Sequence, residues 1–215
     1  MSAKIIPFNP LDKDNLGASI AIAMLSGKVH PLGDLTKFGG AGIYALYYNG
    51  AFPAYQEIAQ RNTNGRFTVP IYVGKAVPAG ARKGGGMAAG TIGYPLFNRL
   101  SEHAESIRSA VNLNIEDFVC RYLVVEDIWI PLGESLLIAR FSPVWNSLID
   151  GFGNHDPGKG RYGGMRSRWD DLHPGREWAA KCQDRQESAK DIESDVKTYL
   201  RDFPFPQADW FNLPE

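Results

Sequence analysis

The sequence predicts an α+β domain in which short strands rich in tyrosine alternate with amphipathic helices. Three observations carry this. Two apolar runs, about 42 to 48 and about 69 to 75, each set a tyrosine beside β-branched residues and are bounded by turn-formers, as strands are. A third run, Phe118 to Val125, is apolar on both faces apart from Arg121 and reads as a central strand buried on both sides. Between and after these lie stretches with helical periodicity, at about 95 to 110, 132 to 140 and 192 to 203.

The bulk numbers fit one large domain or two small ones. The chain has 215 residues, 44% hydrophobic and 22% charged, which is enough apolar material for a core and argues against wholesale disorder. The net charge of −1 excludes a molecule that coats nucleic acid by overall charge, so any grip on phosphates must be local. Cys120 and Cys182 lack metal-ligand spacing. Without a secretory signal they are expected to be reduced thiols in a cytoplasmic protein. The longest mildly apolar run, residues 16 to 26, is too short to span a bilayer, so no membrane partner is expected.

Taken in order, Asn9-Pro10 offers a helix start, and Leu16, Ile20 and Met24 give that helix one apolar face up to Gly27. Residues 28 to 41 are expected to be loop. On the first strand Tyr44 shares a face with Leu46 and Tyr48, opposite Ile43, Ala45 and Tyr47; on the second, Tyr72 faces away from Ile71 and Val73. Each strand thus presents a phenol near a glycine, Gly42 or Gly74, where backbone can be approached closely. Asn49-Gly50 is a turn signal, but Ala54 to Arg61 reads as a short helix, so residues 49 to 69 form an excursion on a hairpin. The stretch 76 to 93 is glycine-rich. Lys75, Arg82 and Lys83 occur there with no acid between 75 and 90, which suits a surface loop or a basic loop set against a phosphate backbone.

The helix at 95 to 110 carries Leu96, Phe97, Leu100, Ala104 and Ile107 on one face. Arg99 and His103 are four apart and stack at its border, either as an edge pair with Glu102 or pointing into a cleft. In the next helix Glu134, Leu137, Ile138 and Phe141 follow helical spacing, which sets a carboxylate in an apolar stripe. Such a group must be paired, with Arg99 or Arg121, or bind a metal. Asn146, just after Pro143, either ties loops together by hydrogen bonds or touches substrate. Residues 151 to 178 show little regular pattern. Lys159, Arg161, Arg166 and Arg168 fall within eleven residues without an acid, interleaved with Tyr162 and Trp169, and suit a DNA-contacting loop. Asn154, His155 and His173 superficially suggest a His-Asn-His metal finger, but the spacing is wrong. The last helix, through Ile192, Val196, Tyr199, Leu200 and Phe203, either closes the core or meets a partner.

Gly42-Ile43-Tyr44 with Tyr72-Val73-Gly74 resembles the signature of the GIY-YIG nuclease superfamily, with an unusually long interval between the halves. Longer strings narrow the likeness: 40 to 48, 70 to 80, Asp150-Gly-Phe-Gly-Asn-His155 and His173-Pro-Gly-Arg-Glu-Trp178 are similar to the type II restriction endonucleases of that superfamily that cut CCGCGG. The resemblance runs over roughly residues 38 to 182. It implies a small antiparallel sheet of about three strands flanked by helices, with N- and C-terminal helical additions. It implies one Mg²⁺ (or Mn²⁺) per active site, double-stranded DNA as partner, and a homodimer in a prokaryotic cytoplasm. Carried onto this chain, it implies catalytic roles for Tyr44, Tyr72, Arg99, His103, Glu134 and Asn146, with Glu134 as metal ligand.

For phosphodiester hydrolysis the expected roles are Glu134 on the cation, Arg99 bracing the non-bridging oxygens, and Tyr44 as general base. A phenol with an ordinary pKa of about 10 would need positive charge, from Lys75 or the metal, to favour its phenolate. Tyr72 or His103 is the alternative base. A repair or mobile-element nuclease, and a non-catalytic DNA-binding module, stay open as other readings.

Overall fold

The computed structural model describes residues 9, 11–78, 93–158, 160, 162–202 and 205. Helix α1 (Lys13–Ser26) begins later than Asn9-Pro10 suggests, because the Asp12 carboxylate caps it by accepting from the Asp14 N–H. Its buried residues are Gly17, Ala21 and Met24; Gly17 lies against Leu136 of a later helix, so the contact face falls on the smaller residues and not on Leu16.

Strands β1 (His30–Pro31), β2 (Gly42–Tyr48), β3 (Pro70–Ala76) and β4 (Phe118–Val124) form one sheet in the order β1-β4-β2-β3, with every pairing antiparallel. The two-residue β1 lies in the stretch expected to be loop. Every residue of β2 is buried. The sequence assigns that doubly covered place to β4, but there Val119, Tyr122 and Leu123 are only half-buried and Val124 is exposed, since so short a β1 covers little of its outer side.

The alternation along β2 divides the molecule into two cores. Tyr44, Leu46 and Tyr48 face Leu96, Leu100 and Ile107 of α3 (Pro95–Ser109), together with Trp145, Phe152 and Trp169. Ile43, Ala45 and Tyr47 face α1 and Ile130, Leu137 and Phe141 of α4 (Ile130–Phe141). On β3 the alternation breaks once. Leu46 pairs with Tyr72 and Tyr47 with Pro70, so Ile71 is an extra, bulged residue that joins the same core as Tyr72 instead of facing away from it.

The excursion between β2 and β3 contains α2 (Gln56–Arg61) and is closed by one side chain. Fully buried Asn62 donates to the carbonyls of Tyr48 and Val69 at 3.0 and 2.8 Å, and its Oδ1 accepts from the Val69 N–H at 3.0 Å. It does the work that a tight turn does in a simple hairpin. Arg121 is buried in β4 and has no carboxylate partner among the described residues; it donates to the carbonyls of Gly27 and Phe67 and lies over the Tyr47 ring.

Beyond α4 come α5 (Val144–Ser147), α6 (Arg168–Leu172) and α7 (Ala189–Asp202). The last buries Ile192, Val196 and Leu200 against α6 and the turn at Pro53–Tyr55, so it closes the core. Phe203 lies outside the described residues. Under α6 runs a buried polar chain. The Trp145 indole donates to the Tyr55 hydroxyl at 2.8 Å, and that hydroxyl is 2.6 Å from Nε2 of His173. His173 Nδ1 is 2.9 Å from Oδ1 of Asn112. Burial first, and then the Arg176 charge, push His173 down to about 3, so it is a neutral imidazole that donates to Asn112 and accepts from Tyr55.

Because the folded pKa of His173 is depressed, the unfolded chain takes up the proton first, and stability present above about pH 6.5 is lost as pH falls toward 3. Urea unfolding should therefore show stability dropping by on the order of 1 kcal/mol per pH unit below 6.5. His173→Gln, weaker at neutral pH, should lose less over that interval.

Candidate active site

Tyr44 enters the site because β2 parity points it at α3, and the chain opposite it has no side chain. Gly74 pairs with Tyr44 across the β2–β3 ladder, and a Cβ on Gly74 would sit 2.4 Å from the Tyr44 hydroxyl and 2.6 Å from its ring. At the other half of the motif, a Cβ on Gly42 would meet the Leu123 carbonyl at 1.9 Å. Both glycines are thus required by close approach.

Above the sheet, His103 is turned fully into the buried face of α3, 1% exposed, where the sequence expects it at the border. Its Nε2 lies 2.6 Å from the Tyr44 hydroxyl. Its ring stacks on Phe152 with centroids 4.5 Å apart, and the Tyr72 ring meets it edge-on at 5.3 Å. Burial, then the Arg99 charge, hold His103 well below the ordinary histidine value. Burial, then the neighbouring Tyr72 phenol, hold Tyr44 well above the ordinary tyrosine value; the Arg99 charge opposes this without reversing it. Tyr72 is raised too, chiefly by burial, with Arg99 again opposing. The direction of the short bond follows: a neutral phenol donates its proton to a neutral imidazole.

Arg99, one turn before His103, is held from two sides. Its Nη2 donates to the Gly153 carbonyl at 2.7 Å, while Nη1 donates to Glu102 at 2.9 Å and to Nε2 of His155 at 2.6 Å. The edge pairing with Glu102 and the cleft-facing reading are therefore both present, and about a fifth of the side chain remains open.

Glu134 reaches the cluster from the other side of the sheet. Lys75 follows Gly74 and by strand parity faces α4, where its ammonium lies 2.5 Å from Oε2 of Glu134. Neither Arg99 nor Arg121 pairs with this carboxylate. The Glu134 charge nonetheless acts on both Tyr44 and Tyr72, raising each. The two halves of the site thus straddle the edge strand β3, phenols and imidazole on one face and the Lys75–Glu134 pair on the other.

Asn146 is a brace within the fold. Its Oδ1 accepts from the Val73 N–H and its Nδ2 donates to the Val73 carbonyl, both at 2.8 Å. Both ends of the amide are engaged at Val73, between Tyr72 and Gly74, as the reading in which it ties segments together expects. Arg166 and Arg168 also depart from expectation. Arg166 pairs with Asp171 and Asp184, and Arg168 with Glu187 and Asp195. One acid, Asp171, lies just beyond the basic run, and the other three arrive from residues 184–195, so both guanidinium groups are engaged within the chain itself. Arg82, Lys83, Lys159 and Arg161 lie outside the described residues. His155 and His173 have unrelated surroundings, one on Arg99 and the other under α6, as their spacing implies.

Sequence reasoning assigns no role to Phe152, Gly153 or His155, although all three touch the cluster. The signal was the string Asp150 to His155 itself, whose residues meet the site only through a loop that no periodicity describes.

Among the described residues no group of three or more His, Cys, Asp or Glu side chains is arranged to hold a metal ion. The donor set around the phenols is one carboxylate, already facing a positive charge in Lys75. That suits a hard cation that takes a single carboxylate and completes its shell with water and phosphate oxygens, and does not suit a closed zinc site.

A small four-stranded antiparallel sheet flanked by helices is the architecture of a GIY-YIG nuclease domain. The family model described as the Eco29kI GIY-YIG domain matches residues 36–200, and the chain belongs to that restriction endonuclease family. Its substrate class is accordingly DNA. No curated protein matches the chain. Among the described residues no helix is long and apolar enough to cross a membrane.

Gly74→Ala should displace the Tyr44 phenol and lower DNA cleavage, while the far-UV spectrum of the purified protein stays that of the parent. Asn146→Ala should cost about 1–3 kcal/mol of unfolding free energy, because it leaves both polar groups of Val73 unpaired at a half-buried site.

Proposed function

We propose that this chain is a type II site-specific deoxyribonuclease that acts as a homodimer on a short GC-rich palindrome, CCGCGG by resemblance, with a divalent cation of the Mg²⁺ type. The observation that carries the reading is the buried contact between the Tyr44 hydroxyl and His103 Nε2, with Arg99 and Tyr72 beside it. A two-fold symmetric site calls for two copies related by a two-fold axis.

Glu134 is the residue that would hold the cation, which when bound supplies charge neutralisation at the phosphate and the leaving oxygen. The remaining work belongs to the chain's own groups. Arg99, with a fifth of its side chain open, turns its planar fork to the non-bridging oxygens and exchanges Glu102 and His155 for phosphate. Tyr72 positions the attacking water. Tyr44 is the proton acceptor, and its buried, neutral phenol changes how it does so. No phenolate is stored by Lys75, whose ammonium is engaged with Glu134. Instead, as water gives its proton to the Tyr44 oxygen, the phenol's own proton passes along the 2.6 Å contact to His103 Nε2. His103 is suited to this because burial keeps it unprotonated beforehand. Approach of DNA to Lys75 would free the carboxylate for the cation.

Plasmid incubated with the protein and Mg²⁺ should yield discrete ends that map to one palindrome; scattered nicks or intact plasmid would defeat the reading. Glu134→Gln should abolish cutting yet still bind the same duplex, and full cleavage by that variant would remove Glu134 from the cation site. Arg99→Ala should lose about 100- to 1,000-fold in cleavage rate. Sedimentation of the protein on its site should report two copies per duplex, and a monomer would contradict the symmetric arrangement.

A further inference from the structure

The loop that supports Arg99 and His103 is itself held by a charged pair buried more deeply than Arg99. Arg176 and Asp170 have side chains 5% and 1% exposed, with Nε of the arginine 2.7 Å from Oδ1 of the aspartate. The other carboxylate oxygen accepts from the Ser167 hydroxyl at 2.6 Å. The rest of the guanidinium points at backbone. Nη2 donates to the Gly151 carbonyl at 3.0 Å, and Nη1 donates to those of Phe152 and Asn154, both at 3.2 Å. The Trp169 and Trp178 rings lie against the cation at 4.3 and 4.9 Å.

These carbonyls bracket Gly153. Within the same five residues the loop delivers the Phe152 ring to His103, the Gly153 carbonyl to Arg99 Nη2 and the His155 imidazole to Arg99 Nη1. There is little slack at the tip, since a Cβ on Gly153 would sit 2.9 Å from the Tyr72 hydroxyl and 3.1 Å from Arg99 Nη2. A buried ion pair is a poor source of net stability, because removing two charges from water offsets most of their attraction. A planar donor fork that fixes several carbonyls at once is, in contrast, a good way to fix a loop.

We propose that Arg176, oriented by Asp170, is a positioning residue for the nuclease reaction. It sets the backbone of residues 151–154 so that Arg99 and His103 are held at the angle the reacting phosphate requires, and it touches no DNA itself. The proposal rests on the reading of Arg99 and His103 as reaction-site groups.

The test uses Arg176→Lys, which keeps the charge opposite Asp170 but cannot reach three carbonyls, in the full-length protein. The probe is a duplex bearing the site mapped at the ends of cut plasmid. Single-turnover cleavage should fall by about 100-fold, with duplex affinity measured without divalent metal unchanged within about threefold. A folded Arg176→Lys protein that cuts at the parental rate overturns the proposal, and so does a rate loss matched by an equal loss of affinity. Should that variant not fold, Gly153→Ala decides, since it leaves the ion pair intact and crowds Arg99 directly. A rate loss at unchanged affinity supports the proposal, and parental cleavage overturns it. Arg99→Ala in the same assay separates the two readings: if it cuts normally the site assignment fails, whereas if it is inactive while Arg176→Lys and Gly153→Ala are normal, only the positioning role fails.

Discussion

Much of this molecule depends on keeping one phenol out of water with one imidazole as its partner. The Tyr44 hydroxyl and His103 Nε2 meet at 2.6 Å in a place where neither group keeps its ordinary pKa. Burial disfavours the phenolate and the imidazolium alike, so both partners stay neutral and the hydrogen bond has a defined direction. The need for that contact sets the rest. It goes with His103 on the inner face of α3, and it requires a residue without a Cβ at Gly74.

The element types were legible because their periodicities are strong. Tyr44, Leu46 and Tyr48 on one face and Ile43, Ala45 and Tyr47 on the other are the two cores, read correctly from period-two alternation. Where the sequence misled, a tertiary contact decided. The Ile71 bulge breaks alternation, and its one local sign is the adjacent Pro70, a residue that sheets tolerate at bulges and edges. The face of α1 follows the small residue Gly17, whose value lies in what packs onto it. His30-Pro31 pairs with β4 although two residues carry no pattern at all. The long segment after 150 resisted reading because its order comes from carbonyls, glycines and buried charges, none of which has a period.

The polar groups inside this protein divide by what they hold. Asn62, Asn146, Arg121 and Arg176 direct most of their hydrogen bonds to main chain at places where the ladders and helices leave groups unpaired. Arg99, in contrast, keeps two partners that sit at the surface, Glu102 and His155, and those can be exchanged. Rigid scaffold and adaptable contact are made from the same side chain, and burial is what separates them.

The amide of Asn62 has a further consequence. By joining the carbonyl of Tyr48 to both polar groups of Val69, it closes the hairpin at its base, so the two tyrosines of the motif keep their separation in space whatever chain length runs between them. Within that excursion Gly65, at a φ of +74° that favours glycine, stands in open space with no described atom packed against it. Distance along the polymer is thereby uncoupled from distance between the two phenols, and the connecting segment is a place where evolution, or a protein engineer, can splice in new polypeptide without moving either ring.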